Sequence, residues 1–164
     1  MIVISLGANL DSTAGTPAQT LVAAMQSLIR NSVKVETVSN FYATPAWPDP
    51  SDPPYVNAVI KVCTDRSPAA LLDVLHTVEI SYGRTRGEKN APRTLDLDLI
   101  DYDGRAERGP PILPHPRMAA RAFVLIPLAD VAPDWRHPVT GRSIAELIAA
   151  LPEQERAAVR PMSA

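Results

Sequence analysis

Strand, helix, strand, strand, helix, strand: this order of periodic segments predicts an α+β class, a ferredoxin-like sandwich in which helices pack on one face of a mainly antiparallel sheet and a C-terminal extension follows. Three observations predict it. Alternating or β-branched runs fall in four places, two runs with helical spacing and clear start signals separate them, and turn residues stand between the segments. A doubly wound parallel sheet is the alternative that the same alternation leaves open.

Ile2 to Leu6 is a short apolar run followed by Gly7, Ala8 and Asn9, a strand running into a turn. Thr16 with Gln19 forms a capping box, Pro17 suits the first helical position, and Leu21, Val22, Met25, Leu28 and Ile29 recur with helical spacing up to a stop near Asn31. Val33, Val35, Thr37 and Ser39 alternate with Lys34, Glu36, Val38 and Asn40, which predicts a half-buried strand. A loop carrying Pro45, Pro48, Pro50, Pro53 and Pro54 follows, of a length that marks either a functional or a disordered segment. Tyr55 to Thr64 is the next strand. Ser67 and Pro68 then open a helix whose Leu71, Leu72, Leu75, Val78 and Tyr82 face a core and whose stop is Gly83. Thr94 to Tyr102 is a strand by pattern. Beyond it lie a loop around Gly109 to Pro116, a short apolar segment from Phe123 to Leu128, and a last helix capped by Ser143 and Glu146.

The 164 residues suit one domain spanning 1–164, and 46% apolar with 21% charged residues is an ordinary globular balance. A net charge of -2 argues against wholesale binding of nucleic acid, so an anionic ligand must meet a local basic cluster. No stretch suggests a signal peptide or a membrane span, which makes the cytoplasm the expected location. Cys63, the one cysteine, falls in an alternating run and reads as a strand residue rather than a nucleophile. The 17 prolines, about twice the usual ~5%, fall mostly between periodic segments and stiffen loops.

Asp96 and Asp98 are two apart in Leu95-Asp96-Leu97-Asp98-Leu99, so their carboxylates leave one face of a strand and the leucines the other. Side-by-side like charges are unfavourable without a cation between them, and hard oxygen ligands on a rigid strand suit Mg²⁺. A solvent-facing strand edge carrying two aspartates of no special role remains the alternative. Just upstream, Arg84, Arg86, Lys89 and Arg93 crowd a segment without apolar periodicity, and such guanidinium groups could clamp a polyphosphate. Pro114-His115-Pro116-Arg117 with Arg121 forms a second cluster, in which His115 could donate to a phosphate or ribose oxygen. His76 and His137 lack such company. Trp47, Tyr55 and Phe123 stand beside these loops, and Asn57 shares the strand face of Tyr55 with an amide that can donate and accept. That combination suits a flat heteroaromatic ligand, or ordinary strand packing.

Taken together, these segments resemble the 6-hydroxymethyl-7,8-dihydropterin pyrophosphokinase family from Ile2 to about Pro133. The landmarks are Ser5-Leu6-Gly7-Ala8-Asn9-Leu10, Phe41-Tyr42-Ala43-Thr44-Pro45, Tyr55-Val56-Asn57, Glu79 and Gly83-Arg84-Thr85-Arg86. They continue through Pro92-Arg93-Thr94-Leu95-Asp96-Leu97-Asp98, Pro114-His115-Pro116-Arg117 and Arg121-Ala122-Phe123-Val124-Leu125. The resemblance implies transfer of the β,γ-pyrophosphoryl group of ATP to a pterin hydroxymethyl oxygen, releasing AMP, with two Mg²⁺ ions bridged by Asp96 and Asp98. It implies a pterin ring between Tyr55 and Phe123, with polar contacts from Asn57, Thr44 and the backbone near Pro45 and Trp47. It implies ATP against Arg84, Arg93, His115 and Arg121, with Arg86 and His76 as further contacts, and catalytic roles for Arg84, Arg93, Asp96 and Asp98. The expected partners are these small molecules alone, with no nucleic acid or membrane, and the chain is expected to be a monomer. Two departures stand out: Asn90-Ala91-Pro92-Arg93 replaces Trp-Gly-Pro-Arg, and Pro116 replaces a frequent aromatic. A non-catalytic binding module of the same fold and a magnesium-dependent nucleotidyltransferase are the competing readings.

Overall fold

A computed structural model of the chain describes residues 1–47, 49–84 and 92–162. Its elements are β1 (Ile2–Ala8), α1 (Pro17–Arg30), β2 (Lys34–Val38), β3 (Tyr42–Thr44), β4 (Tyr55–Cys63), α2 (Pro68–Ser81) and β5 (Asp96–Tyr102). A short 3-10 turn (Met118–Ala120), α3 (Ala122–Val131), α4 (Ile144–Ala149), α5 (Glu153–Ala157) and β6 (Arg160–Pro161) complete the order. The sheet runs β5-β1-β4-β3-β6, with β2 also pairing with β4, and among the described residues every pairing between strands is antiparallel. The α+β sandwich is borne out, and the doubly wound parallel sheet is not.

Local chemistry explains the framework. Thr16 and Gln19 form the capping box of α1 with Pro17 in its first turn, and Ser67 caps α2 by accepting from the Ala70 backbone N–H. The chain leaves α2 through Gly83, whose φ of +83° is costly for a residue with a Cβ. Both helices pack on one face of the sheet against Ile2, Ile4, Leu6 and Ala8 of β1, Ala58, Ile60 and Val62 of β4, and Leu97 and Leu99 of β5.

The sequence pattern assigns no cover to the other face. It is covered too, by α3 and α4, which bury Val124, Leu125, Leu128, Ile144 and Leu147 against Val3, Val59 and Ile100. The segment read as a short apolar stretch is helix α3, apolar on nearly every side and therefore without visible periodicity. A register shift between Val3 and Ile4, facing the Leu99–Asp101 stretch of β5, sends Ile100 into this second core and Tyr102 into the first. Where β2 was expected to be half-buried, four of its five residues are exposed, because it is an edge strand with its own register shift between Val35 and Thr37. Strands β3 and β6 and helix α5 are too short to carry a periodic signal.

Candidate functional site

The second face is covered over only part of its length. Beyond the end of α3 an open cleft of about 880 Å³ lies on the sheet, and the strand register dictates its floor. Gly7 pairs with Asn57 on one side and Asp96 on the other, while Ser5 pairs with Asp98, so that acidic groups, a glycine and an amide stand in adjacent columns. A Cβ at Gly7 would come within 3.3 Å of Asn57 Oδ1, so glycine leaves that oxygen unobstructed.

Both aspartates are partly buried and ion-paired. Arg84 Nη1 lies 2.6 Å from Asp96 Oδ1, Arg93 Nη1 lies 2.5 Å from Asp96 Oδ2, and Arg121 Nη1 lies 3.2 Å from Asp98 Oδ2. The repulsion expected between Asp96 and Asp98 is therefore offset by cations of the chain itself. His115 Nε2 lies 3.8 Å from the same Asp98 oxygen, and its Nδ1 accepts from the Arg117 backbone N–H, which leaves the proton of the neutral ring on Nε2. Burial pushes the His115 pKa below its ordinary value, against the opposing pull of Asp98. Burial likewise lowers the Arg121 pKa, although a guanidinium stays charged. Asp98 Oδ1 makes no hydrogen bond among the described residues and remains available as a ligand. Among those residues no three His, Cys, Asp or Glu side chains form a metal cage, so Mg²⁺ held by the two aspartates would need water and phosphate oxygens to complete its shell.

At the other end of the cleft, Asn57 Nδ2 donates to Thr44 Oγ1 at 2.9 Å between two buried side chains. Tyr55 stands beside them, while Phe123 and Trp47 are exposed at 37% and 72%, leaving ring surface free. The Arg121 guanidinium lies 5.4 Å from the Phe123 ring centroid and links the two ends.

Thr44, Pro45, Trp47, Tyr55, Asn57, Arg84, Arg93, Asp96, Asp98, Arg121 and Phe123 all line this one cleft. His115 adjoins it through Asp98. His76 lies on α2, across the sheet, and is not among the lining residues. Arg86, Lys89 and Asn90 fall outside the described residues.

Residues without an assigned role also contribute. Glu79, buried on α2, accepts from Arg84 and, at 2.7 Å, from the backbone N–H of Leu97, between the two aspartates. Burial pushes its pKa up to about 7, against the lowering effects of the Leu97 hydrogen bond and Arg84. Asn9, equally buried, accepts from the Arg93 N–H at 2.7 Å and donates to the Pro53 carbonyl at 3.0 Å, tying the aspartate strand to the proline-rich loop. Glu79 and Asn9 lie within the motifs that carry the resemblance, but a polar residue in a helix or turn gives no sign of its distant partners.

The family model of 7,8-dihydro-6-hydroxymethylpterin-pyrophosphokinase (HPPK) matches residues 3–133. The chain belongs to the HPPK family. A 2-amino-4-hydroxy-6-hydroxymethyldihydropteridine pyrophosphokinase of Synechocystis is 40% identical to this HPPK-family chain over 151 residues, covering 89% of it and 73% of the relative. A protein of the same name from Pseudomonas aeruginosa is 38% identical, with 92% and 91% covered. A crystal structure of Plasmodium falciparum HPPK-DHPS superposes with a TM-score of 0.66 at 14% identity over 90% of this HPPK-family chain. That likeness bears on the fold alone. The chain spans 43% of the Plasmodium protein. Among the described residues, no helix is long and apolar enough to cross a membrane.

Proposed function

We infer that the chain transfers the pyrophosphoryl group of ATP to the hydroxymethyl oxygen of 6-hydroxymethyl-7,8-dihydropterin, giving AMP and the pterin pyrophosphate. Membership of the HPPK family supports this reading, and one structural observation carries it to the residues. The paired carboxylates, the guanidinium cluster and the ring-lined amide pocket all open into the same cleft. In the reaction the alcohol oxygen bonds to the β-phosphorus and the bond from that phosphorus to the α,β-bridging oxygen breaks. AMP leaves with the bridging oxygen, and the hydroxyl proton is released.

The chain's part is positioning and charge balance. Tyr55 and Phe123 would hold the two faces of the pterin ring, with Asn57, Thr44 and the backbone around Pro45 and Trp47 meeting its polar edge. Arg84, Arg93 and Arg121 would exchange their carboxylate partners for phosphate oxygens, and His115 would donate from Nε2 to a phosphate or ribose oxygen. Arg86 would join them on the phosphates. Asp96 and Asp98, freed of guanidinium, would hold two Mg²⁺ ions. Bound there, the metal supplies Lewis acidity toward the phosphates and a template for the alcohol oxygen.

Product analysis tests the reading. With ATP, Mg²⁺ and the reduced pterin alcohol, mass analysis should find AMP and the pterin pyrophosphate in equal amounts. Free pyrophosphate would indicate nucleotidyl transfer, and binding without turnover would indicate a non-catalytic module.

A further inference from the structure

The family match ends at residue 133, yet the chain beyond it returns to the cleft. Glu155, Ala158 and Val159 stand in the cleft lining with Thr44, Tyr55 and Asn57. They are fixed there from both sides. Upstream, Leu151 is buried in the second core with α3 and α4 and anchors the chain just before α5. Downstream, β6 pairs with β3 through Tyr42↔Pro161 and Ala43↔Arg160, and the Met162 N–H donates to the Phe41 carbonyl at 2.8 Å. Val159 is buried in the same core as Tyr42 and α3. Continuing the antiparallel register by one step sets Val159 opposite Thr44, whose hydroxyl receives the Asn57 amide.

Of the two charged side chains in this segment, Glu155 lines the cleft and Arg156 does not, so the charge presented here is opposite to that of the arginines at the other end. Of the acidic side chains lining the cleft, Asp96 and Asp98 are paired with guanidinium groups, whereas Glu155 forms no ion pair or side-chain hydrogen bond among the described residues. An unpaired carboxylate repels a polyphosphate and attracts a neutral ring rich in N–H donors. The arginines at the opposite end have the reverse preference.

We propose that Glu155 to Val159 form a wall of the pterin end of the cleft, and that Glu155 is a specificity-determining residue. It accepts hydrogen bonds from the N–H edge of the ring and keeps the nucleotide polyphosphate out of that end. The proposal rests on the pterin pyrophosphokinase reading and extends it to a segment outside the family match.

Full-length Glu155→Gln, Glu155→Lys and Ala158→Leu variants test it, with KM for each substrate, kcat and melting temperature measured beside the parent protein. Glu155→Gln should raise the KM for the pterin about threefold to tenfold, and leave that for ATP within about twofold, as expected for a partly solvated charged hydrogen bond. Glu155→Lys should add inhibition by excess ATP, competitive with the pterin, because the lysine draws phosphate into the wrong end. Ala158→Leu, which enlarges the wall without changing charge, should weaken the pterin alone and leave the melting temperature near that of the parent. Unchanged pterin KM in all three variants, or equal changes for both substrates, would overturn the proposal while the parent's turnover leaves the proposed function standing. A parent protein that makes no pterin pyrophosphate would overturn both.

Discussion

The two faces of the sheet are built from the same strands and carry different work. On the face under α1 and α2, alternate residues of β1 stay apolar to the end: Ile2, Ile4, Leu6 and Ala8, all buried. On the other face the same strand reads Val3, Ser5, Gly7. Strand β4 makes the same change from Val59 to Asn57 and Tyr55, and β5 from Ile100 to Asp98 and Asp96. The change occurs where the cover of α3 gives way to the cleft. Apolar character that fails on one face while persisting on the other therefore marks where a buried sheet becomes a site.

The contrast predicts that substitutions on the cleft face remove activity and spare the fold, and that substitutions on the helix face do the reverse. The largest expected effect is at Asp98 and Asp96. Asn at either position should lower kcat by roughly 100-fold to 1000-fold, the usual loss when a group stabilising transition-state charge is removed, with circular dichroism unchanged. Near-normal turnover at low magnesium would break the assignment. On the opposite face, Ile4→Ala, at a fully buried side chain, should cost about 2–5 kcal/mol of unfolding free energy in denaturant melts, with kcat per folded molecule retained.

Legibility divided along the same line. The capping boxes, the alternation of β4 and the helical spacing of α1 and α2 were all readable, because each is a local pattern set by the backbone period. The aspartate pair was readable for the same reason. Strand β3 was not, since three residues cannot display a period and Tyr42 to Thr44 are held by β4 and β6. Nor was α3, whose uniformly apolar sequence conceals its helical face. The Asp96 environment was hidden for a different reason. The sequence shows only two carboxylates side by side; in the structure Arg84 and Arg93 sit on Asp96 and Glu79 sits behind Arg84, contacts that span α2 and β5. Relief of repulsion is therefore not expected of Asp96→Asn, and a small loss of stability is.

Smaller effects sharpen the comparison within the cleft. Tyr55→Ala and Phe123→Ala should each weaken pterin binding about tenfold and ATP binding much less, read by titration with each ligand separately, since each removes one stacking face. Equal losses would merge the two ends of the cleft into one. A last effect, read as a slope with pH, concerns Glu79, whose carboxyl is raised to about 7 by burial. A carboxyl raised in the folded state favours folding most below its ordinary pKa of about 4.5, and that contribution is lost as pH rises through about 7. Replacing Glu79 with Gln should flatten the fall in stability between those pH values, and an unchanged slope in pH-dependent melts would remove Glu79 as its source.

The central claim is that two phosphates move together from the nucleotide to the pterin, and it is tested most directly by ATP carrying different phosphorus isotopes at the β and γ positions. Incubation with Mg²⁺ and the reduced pterin alcohol should place both labels on the pterin product in a one-to-one ratio and leave AMP with neither. Transfer of the γ label alone with formation of ADP, or release of both labels as free pyrophosphate, would contradict the account.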